Sequence, residues 1–270
     1  MTATIGPPRG GGLPGAVHSE WTKLWSVRSS WWTVLAAAVL MLGYTALAAT
    51  AVPVMAEHGD PEAATVSAPG LAVNAVFFLA QFPVLALATL FIAGEYGTGA
   101  IRSTLQWVPV RGRVLTAKCA ALLPALCGLG VVLTGAALAL AVPLMGGAGV
   151  PLTAGEAVRT ALAIGGYFVL LGAFALGVGT ALRSVAGALT VSFVALLALP
   201  MLCSALGLTA VLDYLPGVAG VNLMLGEGTL NDLTGQPVPY ARWVAALVLG
   251  CWSAAALGAG AAVLRSRDAG

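Results

Sequence analysis

The charged residues of this chain lie far apart and leave six long uncharged intervals, each predominantly apolar. Each interval exceeds the roughly 20 residues, at about 1.5 Å per residue, that cross a hydrocarbon core about 30 Å thick. The pattern predicts transmembrane helices at about 32–54, 71–93, 119–143, 160–182, 186–208 and 243–264. We therefore expect an all-α integral membrane protein whose six-helix transmembrane domain covers residues 32–264.

The segments on either side of this domain have other patterns. Residues 1–15 are rich in Gly and Pro and carry one charge, so we expect a disordered tail. In residues 16–31, Trp and other apolar side chains recur at spacings of three and four, which predicts an amphipathic helix at the membrane interface, with Ser19 as its N-cap. The alternative is a simple aromatic anchor for the first span. Residues 265–270 are expected to form a second short tail.

Composition supports a membrane protein. Hydrophobic residues make up 59% of the chain and charged residues 8%, whereas soluble domains carry about 25% charged residues. The net charge of +2 is too small to indicate a nucleic-acid partner. All four cysteines fall in apolar segments and are typical of small buried hydrophobic residues, not of disulfides.

The distribution of Lys and Arg predicts the orientation. With the N-terminus inside, ten of the twelve lie on the cytoplasmic side, and only Arg159 and Arg242 lie outside. Because positive charges accumulate in cytoplasmic loops, we expect both termini to be cytoplasmic.

The chain offers few groups for chemistry. Its only lysines, Lys23 and Lys118, do not follow the glycine spacing of a phosphate-binding loop, so we expect no ATP site. No charged residue lies centrally in a predicted helix, which disfavours an ion-coupled carrier. No catalytic set and no metal cluster can be assembled around the two histidines. We expect this chain to be no enzyme and to bind no cofactor.

A few uncharged residues in the predicted spans allow two interpretations. The polar side chains either line a translocation path or hydrogen-bond neighbouring helices; they are Asn74, Gln81, Tyr167 and Ser192. Small residues at four-residue spacing on the last helix predict close packing within the subunit, with dimerisation as the alternative; they are Gly250, Ala254, Gly258 and Ala262.

Two connecting segments are longer than connections require. The inside segment 94–118 predicts a short amphipathic helix ended by Pro109, although an interfacial stretch with topology-setting arginines explains it as well. The outside segment 213–242 contains the apolar run 215–225. That run is too short to span the membrane, so it predicts a re-entrant or interfacial helix.

Three segments carry a resemblance to a known family. The sequences SEWTKL (19–24), EYGTGAIRSTL with VPVRGRVLTAK (95–118) and LRSVAGAL (182–189) resemble the permease subunits of ABC-2 type transporters, particularly the actinobacterial branch. Two positions depart from the family pattern, Gly97 and Ala100. The resemblance implies that the inside loop couples to a partner ATPase through Glu95, Tyr96, Gly99, Ile101, Arg102, Leu105, Pro109, Arg111 and Arg113. It also implies an interfacial helix that contributes Ser19, Glu20, Trp21, Lys23 and Leu24.

The resemblance implies a function as well. The chain would be the permease subunit of an ATP-driven exporter in the plasma membrane of a bacterium, contacting membrane lipids. It would pair with a second permease chain, as a homodimer or heterodimer, and with a separately encoded ATPase subunit that binds ATP and Mg. The alternative is an ABC-2-like anchor or regulatory subunit without transport activity.

Overall fold

The computed structural model describes residues 12–107, 111–231 and 233–266. Six helices in these ranges are long and apolar enough to cross a membrane. They are α2 (Arg28–Glu57), α3 (Ala68–Thr98), α5 (Arg111–Leu144), α6 (Ala154–Leu182), α7 (Val185–Ala205) and α10 (Arg242–Ser266). The prediction of an all-α, multi-pass membrane protein with six spans is confirmed.

Shorter elements connect and flank the spans. The helices are α1 (Leu13–Ser26), α4 (Ala100–Trp107), α8 (Thr209–Leu212) and α9 (Pro216–Leu225), and a 3₁₀ helix covers Pro61–Thr65. An antiparallel hairpin pairs β1 (Leu230–Asn231) with β2 (Gln236–Pro237).

Five of the six spanning helices extend beyond the predicted boundaries, whereas α7, predicted to end at residue 208, ends at Ala205. Helix α2 has 30 residues, which corresponds to a length of about 45 Å and matches a bilayer with its headgroup regions. The third span begins at Arg111 and not near residue 119, so the basic sequence from Arg111 to Arg113 forms the first turn of α5. Polar and charged residues continue a helix outside the hydrocarbon core, because backbone hydrogen bonds do not stop where hydropathy falls.

The N-terminal helix also differs from its predicted bounds of 16–31. It begins at Leu13 with Gly12 as N-cap, and Pro14 occupies its first turn, where a missing N–H costs nothing. The predicted N-cap Ser19 lies inside the helix, and its hydroxyl donates to the Ala16 carbonyl at 2.8 Å. Val27 is extended and separates α1 from α2. Residues 1–11 of the predicted tail lie outside the described residues.

Helix α6 is the centre of the bundle. It packs against α3, α5 and α10, while α2 packs on α3 and α5, and α7 packs on α3 and α6. Small residues allow the closest crossings. A Cβ on Gly130 of α5 would lie 2.8 Å from the Cα of Gly165 in α6, and a Cβ on Gly260 of α10 would lie 2.7 Å from the Gly177 carbonyl in α6.

The predicted ridge on α10 is not its packing face. The buried residues of α10 are Ala245, Leu249, Ser253, Gly260 and Leu264. Nothing lies within 4 Å of a Cβ built on Gly250 or Gly258, and Ala254 and Ala262 are exposed. The interpretation of this ridge as an intrasubunit contact is therefore wrong.

Two spans contain a π-helical turn, at Val76–Ala80 in α3 and at Val194–Ala198 in α7. Each turn precedes a proline, Pro83 or Pro200, and includes the residue four positions before it. A proline ring clashes with the carbonyl at that position and removes one hydrogen bond. The wider turn is a physical means of relieving this clash inside a continuous helix.

Helix α9 lies within the bundle. Its residues Pro216 to Met224 are all buried against α6, α7 and α10. A Cβ on Gly217 would overlap the Leu196 carbonyl of α7, and one on Gly220 would overlap the Tyr167 ring of α6. The two glycines let this short helix pack directly onto its neighbours.

Candidate functional site

At one end of the bundle, the N-terminal helix α1 lies against the first turns of α5. We call this end the α1 end and the opposite one, near the β hairpin, the hairpin end. The buried positions of α1 are Ala16, Glu20 and Leu24, while Trp21 is exposed. The buried face is therefore offset from the Trp-rich face that the apolar spacing predicted, and it carries a carboxylate.

That carboxylate meets a completely buried lysine. The Lys118 ammonium of α5 donates hydrogen bonds to Glu20 Oε2 at 2.8 Å, to Glu95 Oε1 at 2.8 Å and to the Phe91 carbonyl at 2.9 Å. All three donors of the ammonium are thus used. The Nζ atom also lies 4.4 Å from the centroid of the Phe91 ring, which adds a cation–π contact.

A second lysine completes the arrangement. Lys23 Nζ lies 2.7 Å from Glu20 Oε1, 3.2 Å from Glu95 Oε1 and 3.3 Å from Thr104 Oγ1. The Thr104 hydroxyl lies 3.3 Å from Glu95 Oε2, to which it donates. We call Glu20, Lys23, Glu95 and Lys118 the ion cluster. Through Thr104 it includes the short helix α4, so that four helices meet in it.

The cluster is electrically balanced, with two cations and two anions. The side chains of Lys118, Glu20 and Glu95 are 0%, 3% and 14% exposed, whereas that of Lys23 is 42% exposed. Burial by itself lowers the pKa of Lys23, but the hydrogen bond and charge of Glu20, together with the charge of Glu95, outweigh burial and raise it. Lys23 is therefore charged at neutral pH. Buried charges are costly unless they are paired and hydrogen-bonded, so each member of the cluster depends on the others.

A second contact ties the far side of this end to α3. The Arg183 guanidinium lies 5.3 Å from the centroid of the Tyr96 ring and donates to the Val263 carbonyl of α10 at 3.2 Å. Arg183 ends α6 in the left-handed conformation, with φ of 55°. The α6–α7 corner and the end of α10 are thus joined to the last turn of α3.

The predicted coupling and interfacial residues differ in what they contact. Glu20, Lys23 and Glu95 belong to the ion cluster, Leu24 and Ile101 are buried, and Tyr96 contacts Arg183. Gly99 has φ of 75° and turns the chain from α3 into α4, which favours glycine. Arg113 is exposed. Pro109 and the side chains of Arg102, Leu105 and Arg111 lie outside the described residues.

Three residues of this end are missing from the predicted site: Thr104, Lys118 and Arg183. The sequence could have indicated Lys118, because this residue lies two turns inside α5 when the helix begins at Arg111. A charge at that depth in a spanning helix requires a partner. Thr104 and Arg183 gave no comparable signal, because their roles depend on tertiary contacts.

Of the four residues considered for path lining, Gln81 and Tyr167 contact each other, while Asn74 and Ser192 lie in other parts of the bundle. The Tyr167 hydroxyl donates to Gln81 Oε1 at 2.6 Å, the Gln81 amide donates to the Phe77 carbonyl, and both side chains are fully buried. This pair joins α3 to α6 inside the subunit, in the manner of a packing contact. Ser192 is buried in α7, and Asn74 lines a cavity at the hairpin end.

That cavity has a volume of about 1180 Å³. It is bounded by the first turns of α3, α6 and α10 and by the segment after α9, and both Arg159 and Arg242 line it. Among the residues that the structure describes, no group of three His, Cys, Asp or Glu side chains could hold a metal ion.

No protein-family model matches this chain, and no curated protein matches it. The function is therefore inferred from the geometry of the α1 end. What the ion cluster does is mechanical: it holds α1, α3, α4 and α5 in one arrangement.

Proposed function

We propose that this chain is the permease subunit of an ATP-driven exporter, working with a second permease chain and with a separate ATPase subunit that binds ATP and Mg. Two features support the proposal: the resemblance of three segments to ABC-2 permeases and the six spanning helices. The ion cluster is the strongest support for the proposal, because it connects the two short helices outside the spans to the ends of α3 and α5.

A soluble ATPase can move spanning helices only by acting on a rigid element at the membrane face. Helices α1 and α4 are such elements, since Lys118 and Lys23 link them to α3 and α5 through charged hydrogen bonds. Displacing α1 alone would expose or unpair buried charges. A force on α1 or α4 is therefore passed to α3 and α5, and from α5 to α6 through their close crossing at Gly130 and Gly165. Movement of packed helices as a unit is one route to alternating access.

In this proposal the α1 end faces the cytoplasm of a bacterium. The described Lys and Arg residues of this end are Lys23, Arg28, Arg102, Arg111, Arg113, Lys118, Arg183 and Arg265. Of the described Lys and Arg residues, Arg159 and Arg242 alone lie at the hairpin end. This imbalance favours a cytoplasmic α1 end by the positive-inside rule.

The test is to reconstitute the purified chain with the ATPase subunit that copurifies with it from native membranes. We expect the pair to assemble, the ATPase to hydrolyse ATP and the isolated chain to bind no nucleotide. Saturable ATP binding by the isolated chain would contradict the proposal. Assembly without any ATP-dependent change in cysteine accessibility along the spans would instead favour the anchor or regulatory function.

A further inference from the structure

Both arginines of the hairpin end line a single cavity, and its walls are amphipathic. Apolar side chains such as Leu71, Leu152 and Met224 share the lining with polar ones such as Asn74 and Thr160. Its volume of about 1180 Å³ exceeds the roughly 300–1,000 Å³ typical of pockets for small ligands. The space therefore accommodates a polar headgroup together with part of an apolar chain.

Arg242 is held in place by backbone but is not fully satisfied. Its Nη2 atom donates to the Leu225 carbonyl at 2.7 Å, while its buried Nε has no hydrogen-bond partner among the described residues. The guanidinium lies against Gly226, where an added Cβ would come within 2.8 Å of both Cζ and Nε. Buried donors in proteins are normally hydrogen-bonded, so the Nε–H group of this fixed guanidinium still lacks an acceptor.

Arg159 is the second cation of the cavity. It is exposed and forms no ion pair or hydrogen bond with any residue that the structure describes. Its neighbour Glu156 attracts it electrostatically but forms no salt bridge with it, and the Glu156 Oε2 atom accepts from the Thr153 backbone at 3.0 Å and from the Thr153 hydroxyl at 2.8 Å. Glu62 and Glu227 are exposed and pair with neither arginine within the described ranges. Two guanidinium groups with unused donors thus face one space.

Hydrogen bonds hold the wall around these cations in place. Val150 donates to the Val66 carbonyl at 2.9 Å and closes one side. The segment after α9 is held by Asn222, which donates to Asp213 Oδ1 at 3.0 Å and accepts from Asn231 at 2.7 Å. Next to Arg242, the exposed Trp243 lies in the first turn of α10; exposed tryptophans at the ends of spans are typical of the membrane–water interface.

We propose that this cavity binds the phosphate group of an amphiphile, held by Arg159 and Arg242, with the apolar part of the ligand against Leu71 and Met224. A planar guanidinium matches phosphate oxygens in a bidentate manner, and the level of Trp243 places the site where lipid headgroups lie. This binding site lies at the end of the bundle opposite the ion cluster. It does not rest on the function proposed for the chain.

The test uses the full chain in a nonionic detergent, with thermal unfolding followed by the fluorescence of its seven tryptophans. Three probes are titrated: dihexanoylphosphatidylglycerol, dihexanoylglycerol without phosphate, and inorganic phosphate. We expect the phospholipid to raise the unfolding midpoint saturably and dihexanoylglycerol to have no saturable effect. If only the phospholipid acts, the ligand is a lipid, as proposed; if inorganic phosphate acts as well as the phospholipid, the apolar part contributes nothing, the ligand is a soluble phosphate and the amphiphile assignment is wrong.

The variants are Arg159→Gln and Arg242→Gln, with Arg265→Gln as the control at the α1 end of α10. Loss of one charged hydrogen-bonding group should weaken the apparent affinity by about tenfold or more, while the control should bind like the wild type. Because Arg242 also donates to Leu225, Arg159→Gln decides the test if Arg242→Gln does not fold. The proposal is wrong if neither phosphate-bearing probe stabilises the chain, if dihexanoylglycerol acts equally well, or if Arg159→Gln binds normally.

Discussion

At the scale of single residues, Lys118 shows why a charge can lie inside a membrane protein. Its ammonium has no exposure, but every proton has an acceptor and two carboxylates balance it. The free energy gained depends on the complete set, because a buried charge without its partner retains the cost of leaving water. Lys118 is thus the most sensitive position of the ion cluster.

We expect Lys118→Met to lower the free energy of unfolding by about 3–5 kcal/mol, since it leaves two carboxylates with Lys23 alone. The double variant Lys118→Met with Glu20→Gln should lose less stability than the sum of the losses of the two single variants, because the two residues interact directly. Arg113→Met, at an exposed position on the same helix, is the matched control. Denaturant unfolding in detergent measures all four; equal stability of Lys118→Met and the control would contradict a structural role for the cluster.

At the scale of helices, periodicity predicted which segments are helical better than which faces they bury. Apolar runs predict all six spans and α9, and amphipathic patterns predict α1 and α4. The buried face of α1 was not, because Glu20 would have to lie on it and hydropathy favours the tryptophans. The partner that makes this burial possible, Lys118, is 98 residues away along the chain. A pattern read within one helix cannot supply such a contact.

The small residues of α10 illustrate the same limit. Gly250 and Gly258 lie in open space, whereas Gly260, two residues further on, meets Gly177 and Thr180 of α6. Small residues at four-residue spacing permit close approach on any face that contains them. The position of α6 decides which face is used, and that is a property of the whole bundle.

This difference gives a matched pair of variants. Gly260→Leu should lower stability by at least about 1–3 kcal/mol, because the added side chain must fit where α6 and α10 already touch. Gly258→Leu adds the same atoms to the same helix at an exposed position and should change stability by less than about 0.5 kcal/mol. Unfolding of both variants in detergent gives the comparison. Equal losses would mean that the face of α10 has been assigned wrongly.

At the scale of the whole molecule, the two ends of the bundle differ in chemistry. The α1 end contains the ion cluster and the Arg183–Tyr96 contact, while the hairpin end contains the cavity with Arg159 and Arg242. The sequence predicts which loops share an end, because successive spans place consecutive loops on opposite sides of the membrane and the Lys and Arg residues are concentrated on one of these sides. It did not predict that each end would be tied together by buried polar contacts.

The orientation itself stays a prediction and is directly measurable. After replacement of the four native cysteines, single cysteines are introduced at Glu62 of the hairpin end or at Arg113 of the α1 end. A membrane-impermeant thiol reagent added to intact cells should label position 62, since both side chains are exposed and only the hairpin end faces outward in the proposed orientation. Position 113 should react only after the cells are permeabilised. Labelling of position 113 in intact cells would reverse the proposed topology.

The coupling role of α4 concerns how the whole molecule works, and Thr104 allows it to be tested without removing a charge. Its hydroxyl lies 3.3 Å from Glu95 Oε2 and 3.3 Å from Lys23 Nζ, so it is the hydrogen-bonded link between α4 and the ion cluster among the described side chains. The adjacent Ser103 is exposed, and among the residues that the structure describes its hydroxyl bonds only to the Ala100 carbonyl of its own helix. Thr104→Val removes the link and keeps the size of the side chain, whereas Ser103→Ala removes a hydroxyl without a partner outside α4.

If α4 passes force from an ATPase to the spans, Thr104→Val should reduce the coupling between ATP hydrolysis and movement of α5 in the reconstituted complex. Stability should fall by only about 0.5–1.5 kcal/mol, the usual contribution of one hydrogen bond, so the chain should still insert and bind its partner. Ser103→Ala should resemble the wild type in both respects. The measurements are ATP hydrolysis and the ATP-dependent accessibility of a single cysteine in α5. If Thr104→Val and Ser103→Ala behave alike in both, α4 does not transmit force through the ion cluster, and the cluster serves only to fasten α1 to the bundle.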